Sequence, residues 1–450
     1  MRHSMANFAK PNVPRFSVDV YQNEYLPEGG SRVDAIVTVT ATGGGTLGGA
    51  AAAPAHPAGR PSAAVAVMVD CSGSMDYPPA KMRGARQATA AAIDTLRDGT
   101  RFAVIGGTHV AQEVYPGGGR LAVADATTRE QAKQALRRLS AGGGTAIGTW
   151  LRLADRLLSA ADVTIRHGIL LTDGRNEHES PDDLRATLDA CAGRFTCDAR
   201  GVGTDWDVKE VTGIASALLG TADIVADPAE LAADFTRMME TAMGKEVADV
   251  ALRVWTPLGT AIRFVKQVAP AVEDLTDRRT EAGPRAGDYP TGSWGDESRD
   301  YHLCVTVPPA GLGQEMLAAR VSLVVPQPDG TVQNLGAQGL VRAVWTDDVA
   351  ASTAMSPQVA HYTGQAELAQ AIQQGIYLRK AGDFDGATAK LGRAVQLANA
   401  SGNADTAKLL AKVVDVVDAV TGTVRLKTRV AEADEMTLET RSTKTVRVKK

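Results

Sequence analysis

The chain is poor in the residues that mark several large functional classes. Only 4 cysteines occur in 450 residues. No two form a Cys-x-x-Cys pair, which removes the common zinc-ribbon and dithiol motifs. Cys191 and Cys197 stand close enough in sequence to bridge under oxidation, but reduced core thiols are the expectation. Aromatic residues make up 4%, too few for a platform that stacks single-stranded bases. Net charge is −4, without the basic excess of a nucleic-acid binder. No apolar run approaches the ~18 residues of a membrane-spanning helix. The opening residues, MRHSMANFAKPNVPRF, lack the apolar centre of a secretion signal. These absences predict a cytoplasmic protein with no nucleic-acid partner and no membrane insertion.

Common catalytic signatures are missing too. There is no Gly-x-x-x-x-Gly-Lys-[Ser/Thr] loop for nucleotide phosphates and no His-Glu-x-x-His. No Gly-x-Ser-x-Gly elbow surrounds Ser72. His167 and His178 flank the Asp173 loop and read as surface or strand-edge histidines. The expectation is a protein that is not an enzyme, with a metal-assisted hydrolase as the least favoured alternative.

What is present centres on one stretch, Ala63 to Ser74, AAVAVMVDCSGS. A short apolar run bounded by turn residues reads as a strand buried on both faces. It ends in Asp70, and Ser72 and Ser74 follow at alternate positions. Two later stretches have related character. Gly142-Gly143-Gly144-Thr145 lies between helical patterns, and Leu170-Leu171-Thr172-Asp173-Gly174 ends a second apolar strand with an aspartate. Three loops therefore offer oxygen ligands at the carboxyl edge of a presumed parallel sheet, where open α/β sheets bind ligands. Each feature also has a plain structural reading. Asp70 and Ser72 could cap the following helix, Thr145 could cap the helix Ile147–Ser159, and Asp173 could be a turn residue.

The length suggests about three domains, and the patterns divide accordingly. Residues 1–61 hold two strands with period-two alternation (Phe16, Val18, Val20; Val33, Ala35, Val37, Val39), then a Gly/Ala/Pro linker over 42–61. Residues 62–245 alternate apolar strands with helical patterns, which predicts an α/β domain with a doubly wound, mostly parallel sheet. Residues 246–348 return to period two, with a turn at Pro328-Asp329-Gly330 and an exposed loop at 275–299. Two strands alone are marginal, so the amino-terminal strands and 246–348 are expected to form one antiparallel β-sandwich with the α/β domain inserted. Residues 349–423 read as a polar linker (349–363) and then three helical stripes, the last running from Leu409 to Val420. Residues 424–450 are polar and basic at the end, and are expected to be disordered.

In order, spacing and strand-end context, Asp70, Ser72, Ser74, Thr145 and Asp173 resemble the metal-ion-dependent adhesion site of von Willebrand factor A-type domains, with all five positions filled. The resemblance covers 62–245. It implies a bound divalent cation and protein recognition in which a partner's Asp or Glu completes the metal's shell. Donor chemistry agrees with a hard cation: two carboxylates, three hydroxyls and no imidazole favour Mg²⁺, with Mn²⁺ or Ca²⁺ as alternatives. Related domains often serve AAA+ ATPase machines, which makes a regulatory subunit of such a machine the second reading. Thr443 and Thr445, each followed three residues later by valine, resemble phosphothreonine motifs read by forkhead-associated domains. A phosphate there would add about −1.5 to −2 charges. The picture is of a scaffold protein of bacterial type.

Overall fold

The structure, a computed structural model, describes residues 14–42, 62–327 and 330–448. The Gly/Ala/Pro stretch from residue 43 onward and the turn residues Pro328 and Asp329 lie outside these.

The α/β unit is built on a sheet ordered Ala222–Val225, Thr196–Val202, Ile165–Thr172, Ala63–Asp70, Arg101–Gly107, Ala111–Tyr115. The first five strands are mutually parallel, and Ala111–Tyr115 and Ala122–Val123 pair antiparallel with Arg101–Gly107. Strand side chains alternate between faces, and both faces are covered. Ala64, Ala66 and Met68 point into a core with helices Ile147–Ser159, Pro181–Cys191 and Val208–Ala217. Val65, Val67 and Val69 point into a second core with helices Ala80–Thr95, Ala126–Leu136 and Leu231–Met243. That double burial is why the strand reads as a continuous apolar run rather than an alternating one.

Two further sheets share a third core. One is ordered Arg15–Gln22, Arg32–Thr42, Glu297–Thr306, Ala261–Ala269, Glu273–Asp274. Its register sets Val37 opposite Tyr301 and Ile36 opposite His302, so strands on either side of the α/β unit in sequence are neighbours in space. The other is ordered Thr280–Gly283, Ala286–Trp294, Val247–Trp255, Glu315–Pro326, Val332–Trp345, Tyr25–Leu26, with its last pair parallel. Val37, Leu303, Leu252, Val321 and Trp345, drawn from both sheets, lie in the common core.

Four local expectations are corrected. The stretch 275–299 is not an exposed loop. Ala286–Trp294 is an internal strand with Tyr289 and Trp294 buried. Pro290 and Gly292, read as loop residues, fall at an irregularity in its pairing with Val247–Trp255, and Gly292 has φ +74°. The stretch 349–363 is helical, with Val349–Thr353 capped by Asp348 and Pro357 at the first turn of Pro357–Lys380. The third helical stripe stops at Val413. Val414–Asp418 then forms a hairpin with Thr423–Leu426, in keeping with its valine-rich, β-branched sequence.

The fourth correction is the largest, because residues 424–448 are ordered. Glu432–Thr440 is a helix carrying Glu432, Asp434 and Glu435 in its first turn, where the helix dipole favours acids. Leu438 packs among Leu391, Leu410 and Val413, and Met436 joins the α/β core. Past the helix, Val272 N–H donates to Thr443 O (2.8 Å) and Thr445 N–H donates to Pro270 O (3.0 Å). The basic residues of this tail past the helix that fall among the described residues are paired. Arg441 and Lys444 both reach Asp223 (2.8 and 2.6 Å), and Arg447 reaches Asp300 (2.5 Å).

Candidate functional site

The sheet changes winding direction between Ala63–Asp70 and Ile165–Thr172. From the first of these strands the chain builds outward to Arg101–Gly107, then returns to add Ile165–Thr172 on the other side. The loops leaving the two strand ends diverge there, which is where open α/β sheets form ligand crevices.

Backbone hydrogen bonds tie three loops together at this crevice. Gly73 N–H donates to Gly143 O (2.9 Å), Gly142 N–H to Cys71 O (2.8 Å) and His178 N–H to Thr145 O (2.9 Å). Thr145 N–H in turn donates to His178 Nδ1 (3.2 Å). Gly144 lies against the His178 ring so closely that any side chain would collide with it. The helix Ile147–Ser159 has Ala146 at its N-cap, and its first free N–H groups are met by Asn176 Oδ1 and Glu179 Oε2 (both 2.8 Å). The Thr145 hydroxyl is therefore not a helix cap. Nor does the Ser72 side chain cap the short turn Gly73–Asp76.

All five predicted oxygen donors converge. Asp70 and Asp173 are fully buried, Ser72 and Thr145 are buried, and Ser74 is exposed at the mouth. Asp70 Oδ1 accepts from Ser72 N–H and its Oδ2 from Thr172 Oγ1 (both 2.7 Å). Ser74 Oγ lies 2.7 Å from Asp173 Oδ1 and 2.9 Å from Ser72 Oγ. An ionised carboxylate can only accept, so Ser74 spends its proton on Asp173 and Ser72 donates to Ser74. The hydroxyl protons thus run towards Asp173, which leaves oxygen lone pairs for an electrophile. Gly174 shows where the hydroxyls meet. A β-carbon on it would lie 2.9 Å from Ser74 Oγ, 3.5 Å from Thr145 Oγ1 and 3.8 Å from Ser72 Oγ. The space above Gly174 is a cradle with three hydroxyl oxygens around it.

Lys81 Nζ is 2.7 Å from Asp173 Oδ2 and 3.0 Å from Asp205 Oδ2. Burial disfavours the ammonium, but hydrogen bonds to Asp173 and Asp205 outweigh it and raise the Lys81 pKa. Asp70 has no such partner. Burial pushes its carboxyl above the ordinary value, the Asp173 charge adds to the rise, and hydrogen bonds from Ser72 and Thr172 offset only part of it. Among the described residues no group of three or more His, Cys, Asp or Glu side chains is placed to hold a metal. The cluster is instead a hard, all-oxygen set of two carboxylates and three hydroxyls, which fits Mg²⁺-like ions better than zinc or copper.

The cluster opens into a cavity of about 420 Å³ whose walls include Ser72, Ser74, Thr145, His178, Asp205 and Glu432. Thr443 and Thr445 are not part of it. They line a larger neighbouring cleft, where Thr445 Oγ1 donates to Val268 O (2.6 Å).

A profile of the von Willebrand factor type A domain matches residues 63–224, and one of the von Willebrand factor type A C-terminal domain matches residues 396–442. The solved structure of von Willebrand factor type A from Catenulispora acidiphila is 49% identical over 99% of this chain and 100% of that one, with a TM-score of 0.91. The chain belongs to the von Willebrand factor type A family. The ArnB paralog VWA2 from Sulfolobus acidocaldarius shares the fold at 13% identity, over 95% of this chain and 98% of that one, with a TM-score of 0.58. No curated protein matches the chain.

This von Willebrand A-type site has members that its sequence did not announce. Thr172 orients Asp70, Lys81 neutralises part of Asp173, and Asn176 with Glu179 cap the helix behind Thr145. Lys81 had one faint signal, a basic residue in the first turn of a helix, where the dipole disfavours it. His167 is buried, whereas His178 is a surface histidine as expected and still contacts the site. His167 Nε2 is 3.0 Å from Asp198 Oδ2, and His178 braces Thr145.

Proposed function

We propose that Asp70, Ser72, Ser74, Thr145 and Asp173 form a metal-ion-dependent adhesion site, and that this chain is a non-enzymatic, metal-dependent protein-recognition scaffold. The carrying observation is the cradle over Gly174, where three hydroxyls gather beside two fully buried carboxylates. Among the described residues, only Lys81 forms an ion pair with either carboxylate. Two buried charges facing one ammonium leave negative charge uncompensated, a costly state unless a cation is supplied.

Mg²⁺ is the ion we assign, with Mn²⁺ or Ca²⁺ as substitutes. Bound there, the ion would supply an electrophilic centre able to take an outside anionic oxygen. The chain's own part is to hold that centre and keep it underligated. Ser72, Ser74 and Thr145 would face it as neutral oxygens, while Asp173 is already shared between Ser74 and Lys81. A partner's Asp or Glu carboxylate matches what remains.

The α/β unit, on this reading, is carried by a β-sandwich made of the strands before and after it. Among the described residues no helix is long and apolar enough to cross a membrane. All four cysteines are free and buried, with thiols pushed up by burial to about 12 for Cys71 and about 11 for Cys191. Inert thiols suit the cytoplasmic placement we propose.

Mg²⁺ titration by calorimetry, with and without Ser72 and Ser74 replaced together by alanine, tests the site. Binding by the parent chain and none by the double variant is the expected result. Equal heats from both would refute the assignment.

A further inference from the structure

The helix Glu432–Thr440 carries four carboxylates, and three have basic partners on neighbouring helices. Asp434 pairs with Lys412 (2.8 Å), Glu435 with Arg379, and Glu439 with Lys380 (2.7 Å). The Glu432 side chain has no hydrogen bond or ion pair among the described residues. The residue begins the helix and lines the same cavity as Ser72, Ser74, Thr145 and Gly174. We propose that Glu432 is the resting occupant of the metal's open position, an acidic ligand supplied by this chain itself. The inference rests on the metal reading above and deepens it.

The cavity holds two other acidic side chains, Glu177 and Asp205. Asp205 is engaged by Lys81. Glu177 belongs to the short loop that already carries Asp173, so its engagement would tie nothing new to the site. Glu432 comes from outside the α/β unit, on a helix fixed at its far end. Met436 is buried in the α/β core, and Arg441 and Lys444 clasp Asp223. A carboxylate so held needs little ordering to reach an ion, which lowers the entropy of ligation. Its free negative charge is the chemistry that an underligated hard cation takes.

The consequence is a carboxylate exchange. An acidic partner must displace Glu432, and doing so frees the start of the carboxyl-terminal helix from the metal. Recognition at the metal is thereby linked to the helices that this segment fastens to the α/β unit, and the coupling is reciprocal.

The test uses the full chain with Mg²⁺ as the only ligand, followed by calorimetry and amide hydrogen exchange. In the parent chain, Mg²⁺ should slow exchange across residues 432–440 relative to EDTA. Glu432→Gln should abolish that slowing and weaken Mg²⁺ binding about tenfold. Mg²⁺ bound with unchanged exchange in that helix, or equal affinity in Glu432→Gln, would overturn the inference while leaving the metal site standing. Loss of the effect in Glu177→Gln but not in Glu432→Gln would transfer the role to Glu177 and overturn it as well. No Mg²⁺ binding by the parent chain would remove the metal reading and this inference together.

Discussion

Asp70 and Asp198 stand on strands of one parallel sheet, separated by a single neighbour, and both are buried. Their surroundings are opposite. Asp198 lies 3.0 Å from His167 Nε2 and accepts from Thr221 N–H and Oγ1 (2.6 and 2.7 Å), with Arg200 close by. Burial alone would raise its pKa, but the His167 hydrogen bond and the charges of His167 and Arg200 hold it well below the usual range. Asp70 accepts only from neutral donors, and burial drives its pKa up. Asp300, in another sheet, likewise has a cationic partner, Arg447, together with Thr38 and Tyr362. Asp198 and Asp300 thus find a counter-charge within the chain, and Asp70 does not.

The sharpest way to break this comparison is to neutralise each aspartate in turn. Asp70→Asn should reduce Mg²⁺ affinity at least 100-fold by calorimetry. In EDTA it should leave stability to denaturant unchanged or raised. Asp198→Asn should cost about 3 kcal/mol and keep Mg²⁺ binding. Equal destabilisation by both in EDTA would show that Asp70 is a structural residue like the other.

A somewhat smaller effect comes from the ion itself. Mg²⁺ at about 100 times its Kd should stabilise the parent chain by about 2.7 kcal/mol, read from unfolding midpoints, and should leave the Ser72 and Ser74 double alanine variant unmoved.

The two aspartates should also respond to pH with opposite sign. Asp70 is raised in the folded state, so in EDTA its contribution falls as pH climbs from the ordinary carboxylate range through the elevated folded value. Asp198 is lowered, so its contribution is present above the ordinary range and is lost only as pH drops through the depressed value. Stability differences between each Asn variant and the parent, measured across pH, should slope in opposite directions.

A further pH-dependent effect is expected at Glu210, near Asn176 and Glu179. Burial and then the Asp207 charge push its carboxyl up from 4.5 to about 7. Glu210→Gln should therefore gain thermal stability progressively between those values, with a clear gain at about pH 8 and little at about pH 4.

The five oxygen donors were legible because each sits where local pattern speaks. Asp70 and Asp173 end apolar strands, and Ser72, Ser74 and Thr145 lie in glycine-bearing loops directly after strand or before helix. Lys81 and Glu432 were not legible, because only the folded chain brings them to the cavity. The carboxyl-terminal segment was misread for a different reason. Averaged composition over 424–450 hid Met436 and Leu438, whose two-residue spacing is too short to show a helical period. Its basic residues looked solvated because their partners, Asp223 and Asp300, are about 150 or more positions away in sequence. In the same way, Ala286–Trp294 looked like a loop because Pro290 and Gly292 punctuate it, though its bulge tolerates both.

One pairing in the fold has a consequence for synthesis. Thr38 meets Asp300 across 262 positions of chain. At roughly 5–20 residues per second, the strand Arg32–Thr42 waits about 13–50 seconds on the ribosome before its neighbour Glu297–Thr306 is made. Throughout that interval one edge of the strand keeps its backbone N–H and C=O groups unpaired, and Val33, Val37 and Val39 on its core face wait for the strands that bury them.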